Sequence, residues 1–256
     1  MKIRLVQCHS EQDINSNIAY AKAILEKSAA QNFDLVVFPE MFLTGYMVAA
    51  NIKSIAISSD SKVLGDLQSA CAANSIACVF GFPRKEDENI YNSACFIDKN
   101  GTIAGIYDKT HLFGDEKLYF SFGNQLNVFD TSFGKIGLLI CYDIEFPEAA
   151  RSLAMSGAEM IVCISANMKP YDDLHKTCII SRAIENSLPI VYCNYSGRDN
   201  DFLYVGQSNI IHSNGKHECK FSKRKKILDG TLNIPEICND DNMNYLKNLR
   251  DDLYKH

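Results

Sequence analysis

Short apolar runs, each about one strand long, recur through this chain with amphipathic helical segments or tight turns between them. Residues 2–7 (KIRLVQ) read as a first strand. Residues 13–31 read as a helix with Ile14, Ile18, Ala21, Ile24 and Leu25 on one face. DLVVF at 34–38 suits a buried strand that stops at Pro39, which has no amide hydrogen to give to a ladder. A helix near 61–74 leads into a strand at 76–81. The rhythm then changes to hairpins. Residues 91–97 and 102–107 flank Asp98-Lys99-Asn100-Gly101, and residues 128–130 and 135–140 flank Thr131-Ser132-Phe133-Gly134. Pro147 opens a helix that runs to Met155 and stops at Gly157. Beyond it the pattern predicts a strand at 160–164, a helix at 172–186 and a strand at 190–194. A further strand at 207–212 turns across Ser213-Asn214-Gly215, and the polar tail predicts a short helix near 242–249. Strands that alternate with helices and also pair as hairpins predict a layered, mixed α/β architecture. With no repeat or linker in view, residues 1–256 are expected to form one domain, its tail from about residue 231 packing on the domain or on a partner subunit.

Composition narrows the function classes. A net charge of -5 gives no electrostatic reason to expect nucleic acid. No apolar run approaches the roughly 20 residues that span a bilayer, and the start, MKIRLVQCHS, reads as a strand and not as a signal peptide, so no membrane partner is expected. The ten cysteines are scattered, without a C-x-x-C pair. Zinc and dithiol redox chemistry are therefore not expected. Most of these cysteines sit in apolar runs such as IACVF and MIVCIS, the pattern of reduced thiols in a cytoplasmic protein.

Three segments share a layout in which an apolar strand ends at a reactive residue. They are VVFPEMFLTGY with Glu40, IAGIYDKTHLF with Lys109, and IGLLICYDIEFPE with Cys141. Loops at strand ends gather such groups above a rigid sheet. Cys141 lies between a strand and the helix at Pro147, where partial exposure and the positive helix end are expected to favour the thiolate. Each residue also has a plainer reading: a core cysteine, a structural carboxylate, a lysine reaching solvent. Spacing alone does not bring the three together.

As a set, these segments resemble the nitrilase, or carbon–nitrogen hydrolase, superfamily. FPEMFLTGY resembles its glutamate motif, YDKTHLF its lysine motif and LLICYDIEFPEAAR its cysteine motif, in the family's order. GDEKLYFSFG places Glu116 at the family's second glutamate, in a segment slightly shorter than is usual there. The resemblance runs from Met1 to about Gly230. It implies a four-layer α-β-β-α sandwich and a homodimer or higher homo-oligomer built through the helical layers. It also implies a cysteine mechanism without metal or organic cofactor. Cys141 attacks the amide carbon, Glu40 serves as base and then acid, and Lys109 with the Tyr142 backbone N–H holds the oxyanion, while Glu116 holds Lys109.

Within the superfamily the likeness is to short-chain amidases of the 5-aminopentanamidase and stereoselective-amidase type, which release ammonia from small linear amides. GDEKLYFSFG is also similar to the loop of N-carbamoylputrescine amidases. Glu145 is the candidate to meet a substrate ammonium, unless a partner such as Arg182 occupies it; Asp115 and Asp172 are weaker candidates. Tyr46 and Asn167 are candidates to line the pocket. His111 and His175 are expected at the surface or behind the site, since the family uses no catalytic histidine. The alternatives are a carbamoyl-amine hydrolase, a nitrile hydrolase, a non-catalytic binding subunit of the family, and a thiol-redox protein.

Overall fold

A computed structural model describes residues 1–46, 51–199, 202–224, 226–236, 244–250 and 252–253. The first half holds β1 (Lys2–Val6), α1 (Ile14–Ala29), β2 (Leu35–Val37), α2 (Ile52–Ile55), β3 (Ile57–Ser58), α3 (Lys62–Asn74), β4 (Ala77–Glu86), β5 (Asn89–Ile97) and β6 (Ile103–Asp108). The second holds β7 (Val128–Thr131), β8 (Gly134–Ile140), α4 (Pro147–Met155), β9 (Met160–Ser165), α5 (Asp172–Asn186), β10 (Ile190–Asn194), β11 (Ser196–Asp199), β12 (Phe202–Val205), β13 (Asn209–Ile211) and β14 (Ile227–Thr231). Two five-residue 3-10 helices, Gly114–Leu118 and Cys141–Glu145, belong to the site described below.

Period-two burial makes the layers. Leu35 and Val37 of β2 face the core between two sheets, whereas Val36 faces outward under α1 and α3. Ala77 and Val79 of β4 alternate in the same way with Cys78 and Phe80. The first sheet runs β14-β1-β2-β4-β5-β6, with β3 on β4; the second runs β13-β10-β9-β8-β7. Helices α4 and α5 cover the outer face of the second sheet through Ala149, Leu153, Ile179 and Ala183. Helices, sheet, sheet, helices is the expected four-layer sandwich. Each fully buried Leu, Ile, Val or Phe in it contributes about 1.5–3 kcal/mol.

Local chemistry sets the helix starts. Asp13 caps α1 by accepting from Ser16 N at 2.8 Å, and Ser61 caps α3 by accepting from Leu64 N. Both ends of α5, Asp172 and Asn186, match the predicted span. Other boundaries differ. β4 extends to Glu86, beyond the predicted end at residue 81, because it pairs antiparallel with β5 along its length. β14, which pairs antiparallel with β1, and the β11–β12 hairpin had no distinct apolar pattern. After β13 the turn at 213–215 forms, but the returning chain makes an isolated bridge, Ile211 to His217. The helix predicted near 242–249 does not form among the described residues, where 245–248 are turns; residues 242 and 243 lie outside them. The tail packs inward at Leu232, whose N–H bonds the Met1 carbonyl at 2.9 Å.

Candidate active site

The chain after β2 crosses the face of β4. Phe38 N donates to Val79 O at 2.8 Å, Gly81 N to Pro39 O at 3.1 Å and Leu43 N to Gly81 O at 3.2 Å. This close approach requires glycine at 81, where a Cβ would collide with Met41 N and lie 2.7 Å from Glu40 Cα. The crossing carries Glu40 into the interior with no exposed surface. Its Oε1 accepts from Asn92 Nδ2 at 2.7 Å and Lys109 Nζ at 2.8 Å; its Oε2 accepts from Ala166 N at 2.7 Å. Burial raises the Glu40 pKa above its ordinary value, partly offset by Lys109 and reinforced by Glu116.

Lys109 follows β6 and is likewise fully buried. Its backbone is pinned on both sides, Lys109 N to Asn92 O and Gly123 N to Lys109 O, each at 2.9 Å. Nζ lies 2.9 Å from Glu116, which the 3-10 helix Gly114–Leu118 turns inward. Burial alone would discharge this ammonium, but the two carboxylates outweigh it and hold the Lys109 pKa well above normal. Glu116 Oε1 also accepts from Tyr46 Oη at 3.0 Å and Asn92 Nδ2 at 3.2 Å, and Oε2 accepts from Phe113 N at 2.7 Å. Glu116 is thus saturated with donors.

Cys141 follows β8 as the first residue of its 3-10 helix, in the left-handed conformation at φ 49°. For a residue with a Cβ that backbone costs of order 1–3 kcal/mol. Asp143, two residues on and fully buried, ties this turn to the Lys109 loop. It accepts from Ile140 N at 3.0 Å, Tyr107 Oη at 2.8 Å, Thr110 Oγ1 at 3.0 Å and His111 N at 2.9 Å. The expected thiolate bias is corrected here. Burial and the nearby Glu40 charge push the thiol pKa up, more than Lys109 and a hydrogen bond from Ser165 lower it. Burial therefore favours the thiol over the thiolate in the empty site.

Above Cys141 lies a slot of about 20 Å³ lined by Tyr46, Phe113, Tyr142, Glu145, Asn167, Met168, Tyr171 and His175. That volume holds about one water. Glu40, Lys109 and Glu116 are not in its lining, but the charges of all three act on Cys141, and Tyr46, Tyr142, Glu145 and Asn167 form its wall. Glu145 is not paired with the Arg182 guanidinium through its carboxylate. Arg182 donates to the Ile144 and Glu145 carbonyls, while Glu145 Oε1 faces His175 Nε2 at 3.1 Å. His175 is therefore in the wall, whereas His111 hydrogen-bonds Asp143 and stacks on Phe146. Asp115 is exposed, and Asp172 is occupied by Lys169 and Lys223 at 2.6 and 2.7 Å, so neither faces the slot. Asn92, Asp143, Ser165 and Ala166 escaped sequence reasoning. Of these, Asp143 sits inside the cysteine motif and was open to suspicion as a charge at a buried strand end. Among the described residues no cluster of three or more His, Cys, Asp or Glu could hold a metal ion.

A thiol, a carboxylate and an ammonium gathered at the strand ends of an α-β-β-α sandwich define a class of cysteine hydrolases. The Carbon-nitrogen hydrolase family matches residues 2–238, and the chain belongs to that family. It is a hydrolase of carbon–nitrogen bonds, working through an active-site cysteine. A hydrolase in the pqqF 5' region of Pseudomonas protegens is 35% identical over 260 positions, covering 99% of this chain and 90% of the relative. An (R)-stereoselective amidase of a Pseudomonas species is 36% identical over 218 positions, covering 84% and 79%. Among solved structures, the NitN amidase of Nesterenkonia sp. AN1 superposes with a TM-score of 0.86 at 25% identity, covering 99% of this chain and 98% of that one. No helix among the described residues is long and apolar enough to cross a membrane.

Proposed function

We propose that this chain hydrolyses small linear amides that carry an amino group, through a thioester on Cys141, with release of ammonia. The observation that carries the reading is the buried Lys109 ammonium, clamped between Glu40 and Glu116, whose charges act on the Cys141 that lines the slot. The amide carbonyl enters above the sulfur. Lys109 has three N–H donors; two are engaged by Glu40 and Glu116, and the third serves the developing oxyanion with the Tyr142 backbone N–H. That N–H lies in the first turn of its 3-10 helix, where no carbonyl within the helix can reach it.

Glu40 Oε2 carries one hydrogen bond and keeps a lone pair for the thiol proton. A neutral thiol beside a carboxylate of raised pKa favours proton transfer concerted with attack over a standing thiolate. Glu40 then protonates the departing amine, and ammonia leaves. Water, deprotonated by Glu40, adds to the thioester and frees the acid. Glu145, in the wall of the slot, meets the substrate ammonium. The amidase relatives support an amide over a carbamoyl amine: the stereoselective amidase is 36% identical, an Arabidopsis thaliana N-carbamoylputrescine amidase 29%. The test is an ammonia-release screen over small amides, carbamoyl amines and nitriles with carbon dioxide measured in parallel. Ammonia without carbon dioxide from an ω-amino amide is expected; carbon dioxide in step with ammonia would transfer the assignment to carbamoyl amines.

A further inference from the structure

Asn92 touches Glu40, Lys109 and Glu116, and the proposed reaction gives it no part. Its backbone carbonyl accepts from Lys109 N at 2.9 Å. Its side-chain Nδ2 donates to Glu40 Oε1 at 2.7 Å and to Glu116 Oε1 at 3.2 Å. Lys109 Nζ donates to the same two oxygens at 2.8 and 2.9 Å. The four atoms close a ring in which two donors, one charged and one neutral, alternate with two carboxylate oxygens. Asn92 lies on β5 and is fully buried.

The ring fixes which way the amide points. Reversed, it would set Asn92 Oδ1 against two oxygens that already accept from the Lys109 ammonium. The observed orientation leaves Oδ1 buried and without a hydrogen-bond partner among the described residues. An orphaned buried acceptor is destabilising, and an apolar side chain of similar size would avoid it. Packing therefore does not account for an amide at this position; its donor end does. One ammonium cannot neutralise two buried carboxylates, and the two N–H groups of Asn92 stand in for water on the charge that Lys109 leaves over. Because the ring takes the Oε1 atom of Glu40, Oε2 stays outside it, held by Ala166 N alone.

We propose that Asn92 is a positioning residue that keeps Glu40 ionised, with its Oε2 turned out of the ring, ready for the thiol proton of Cys141. It acts through Glu40 and touches no reacting atom. This rests on the reading of Glu40 as the base. Burial disfavours the charged form of Glu40, and the Asn92 hydrogen bond is among the contacts that oppose it. The other charged or titratable groups that act on Glu40 or feel its charge are Lys109, Glu116 and Cys141. Tyr46, Tyr192, Tyr195, Tyr204 and Cys163 also feel it, and burial holds all five neutral.

The experiment follows the side-chain carboxyl carbon of Glu40 by carbon NMR in the full chain, from about pH 4 to pH 9. The resonance is assigned by its absence in Glu40→Gln. Wild type is compared with Asn92→Leu, which keeps the bulk and removes both donors, each checked for its fold by circular dichroism. A hydrogen bond to a charged group corresponds to about one to two pH units, so Asn92→Leu should raise the Glu40 midpoint by that much. An unchanged midpoint in folded Asn92→Leu would overturn the proposal. Should that variant not fold, wild-type protein carries a second measurement. Both Nδ2 protons of Asn92, one on each carboxylate, should exchange with solvent far more slowly than those of an exposed amide, and fast exchange of either would break the ring. Neither readout needs turnover, so a wrong substrate leaves both intact. With whichever amide the ammonia screen finds to be hydrolysed, the acid limb of kcat/KM in Asn92→Leu should move up with the Glu40 midpoint. A midpoint that moves while the limb stays would overturn the role in the reaction, and wild-type protein that hydrolyses no amide would remove the base assignment and that role with it.

Discussion

Lys109 Nζ lies 2.8 Å from Glu40 Oε1, with neither side chain exposed. In so dry a site the pair cannot be dismantled one member at a time, because the survivor is left as a buried, uncompensated charge. Removal of one partner of such a pair costs about 3–5 kcal/mol. Lys109→Met should fall at the upper end, since Glu40 and Glu116 then face each other across the amide of Asn92. Adding Glu40→Gln removes one of those charges and should restore part of the loss. Urea denaturation of the single and double variants measures this; a double variant less stable than Lys109→Met would contradict the account.

Glu40 must be ionised to accept the thiol proton, and burial raises its pKa above the ordinary 4.5. As pH falls through that raised value the base is protonated and activity is lost. The acid limb of kcat/KM is therefore expected at a midpoint above 4.5. Glu40→Gln should lower kcat by about 10²–10⁴ and abolish the limb. A wild-type limb at or below the ordinary carboxylate value would show that burial does not govern this group.

How much of this was legible in the sequence varied with range. Strand and helix positions follow local periodicity, and α5 and β10 run as predicted because their patterns are strong and well bounded. Glu40, Lys109 and Cys141 stood out because each breaks a polar or reactive residue into the end of an apolar run. Their supports did not stand out. Ala166 holds Glu40 through a backbone N–H 126 residues away, and any residue type supplies that donor. Asn92 sits in a strand whose pattern gives no sign that its amide bridges two carboxylates. The thiol's raised pKa follows from the depth of the site, which no local pattern records. β14 is three-fifths polar or glycine, ILDGT, and becomes a strand only because β1 offers it an edge.

We propose that the chain assembles as a homodimer or larger through its outer helical layers. α4 leaves Met155 59% exposed on that surface, a position where a charge can be placed without disturbing the core. Multi-angle light scattering should give at least twice the 28.7 kDa chain mass. A mass equal to one chain would contradict the proposal, and Met155→Lys should lower the mass if α4 lies at the interface.

Asp172 offers a test of acid stability away from the reaction. Hydrogen bonds from Lys169 and Lys223 lower its pKa from 3.8 to about 2. A carboxylate with a depressed folded pKa contributes stability that is complete above its unfolded value and is lost as pH falls through the folded one. Asp172→Asn should therefore cost stability at neutral pH and no longer lose it between about 3.8 and about 2. Both lysines are about half exposed, so solvent screening limits the effect to roughly 1 kcal/mol. Thermal unfolding at matched ionic strength, with equal slopes for wild type and variant across that window, would remove the assignment.

Glu145 occupies two roles that a single rate cannot separate, since its carboxylate both faces the slot and contacts His175 at 3.1 Å. Loss of the second contact releases His175 in the slot wall and is felt by every substrate alike. Loss of the first is felt only by substrates that bring a positive charge. The ratio of kcat/KM for an ω-amino amide to that for its uncharged isostere, with methyl in place of ammonium, cancels the common part. A partly desolvated ion pair is worth enough that Glu145→Gln should lower this ratio about tenfold or more, while the neutral amide keeps a smaller loss. Raised salt should erode the wild-type ratio, because ions screen the approach of the cation to a pocket-mouth carboxylate. Equal losses for both substrates would leave Glu145 as an anchor for His175 alone and return the choice of substrate to the aromatic walls of the slot.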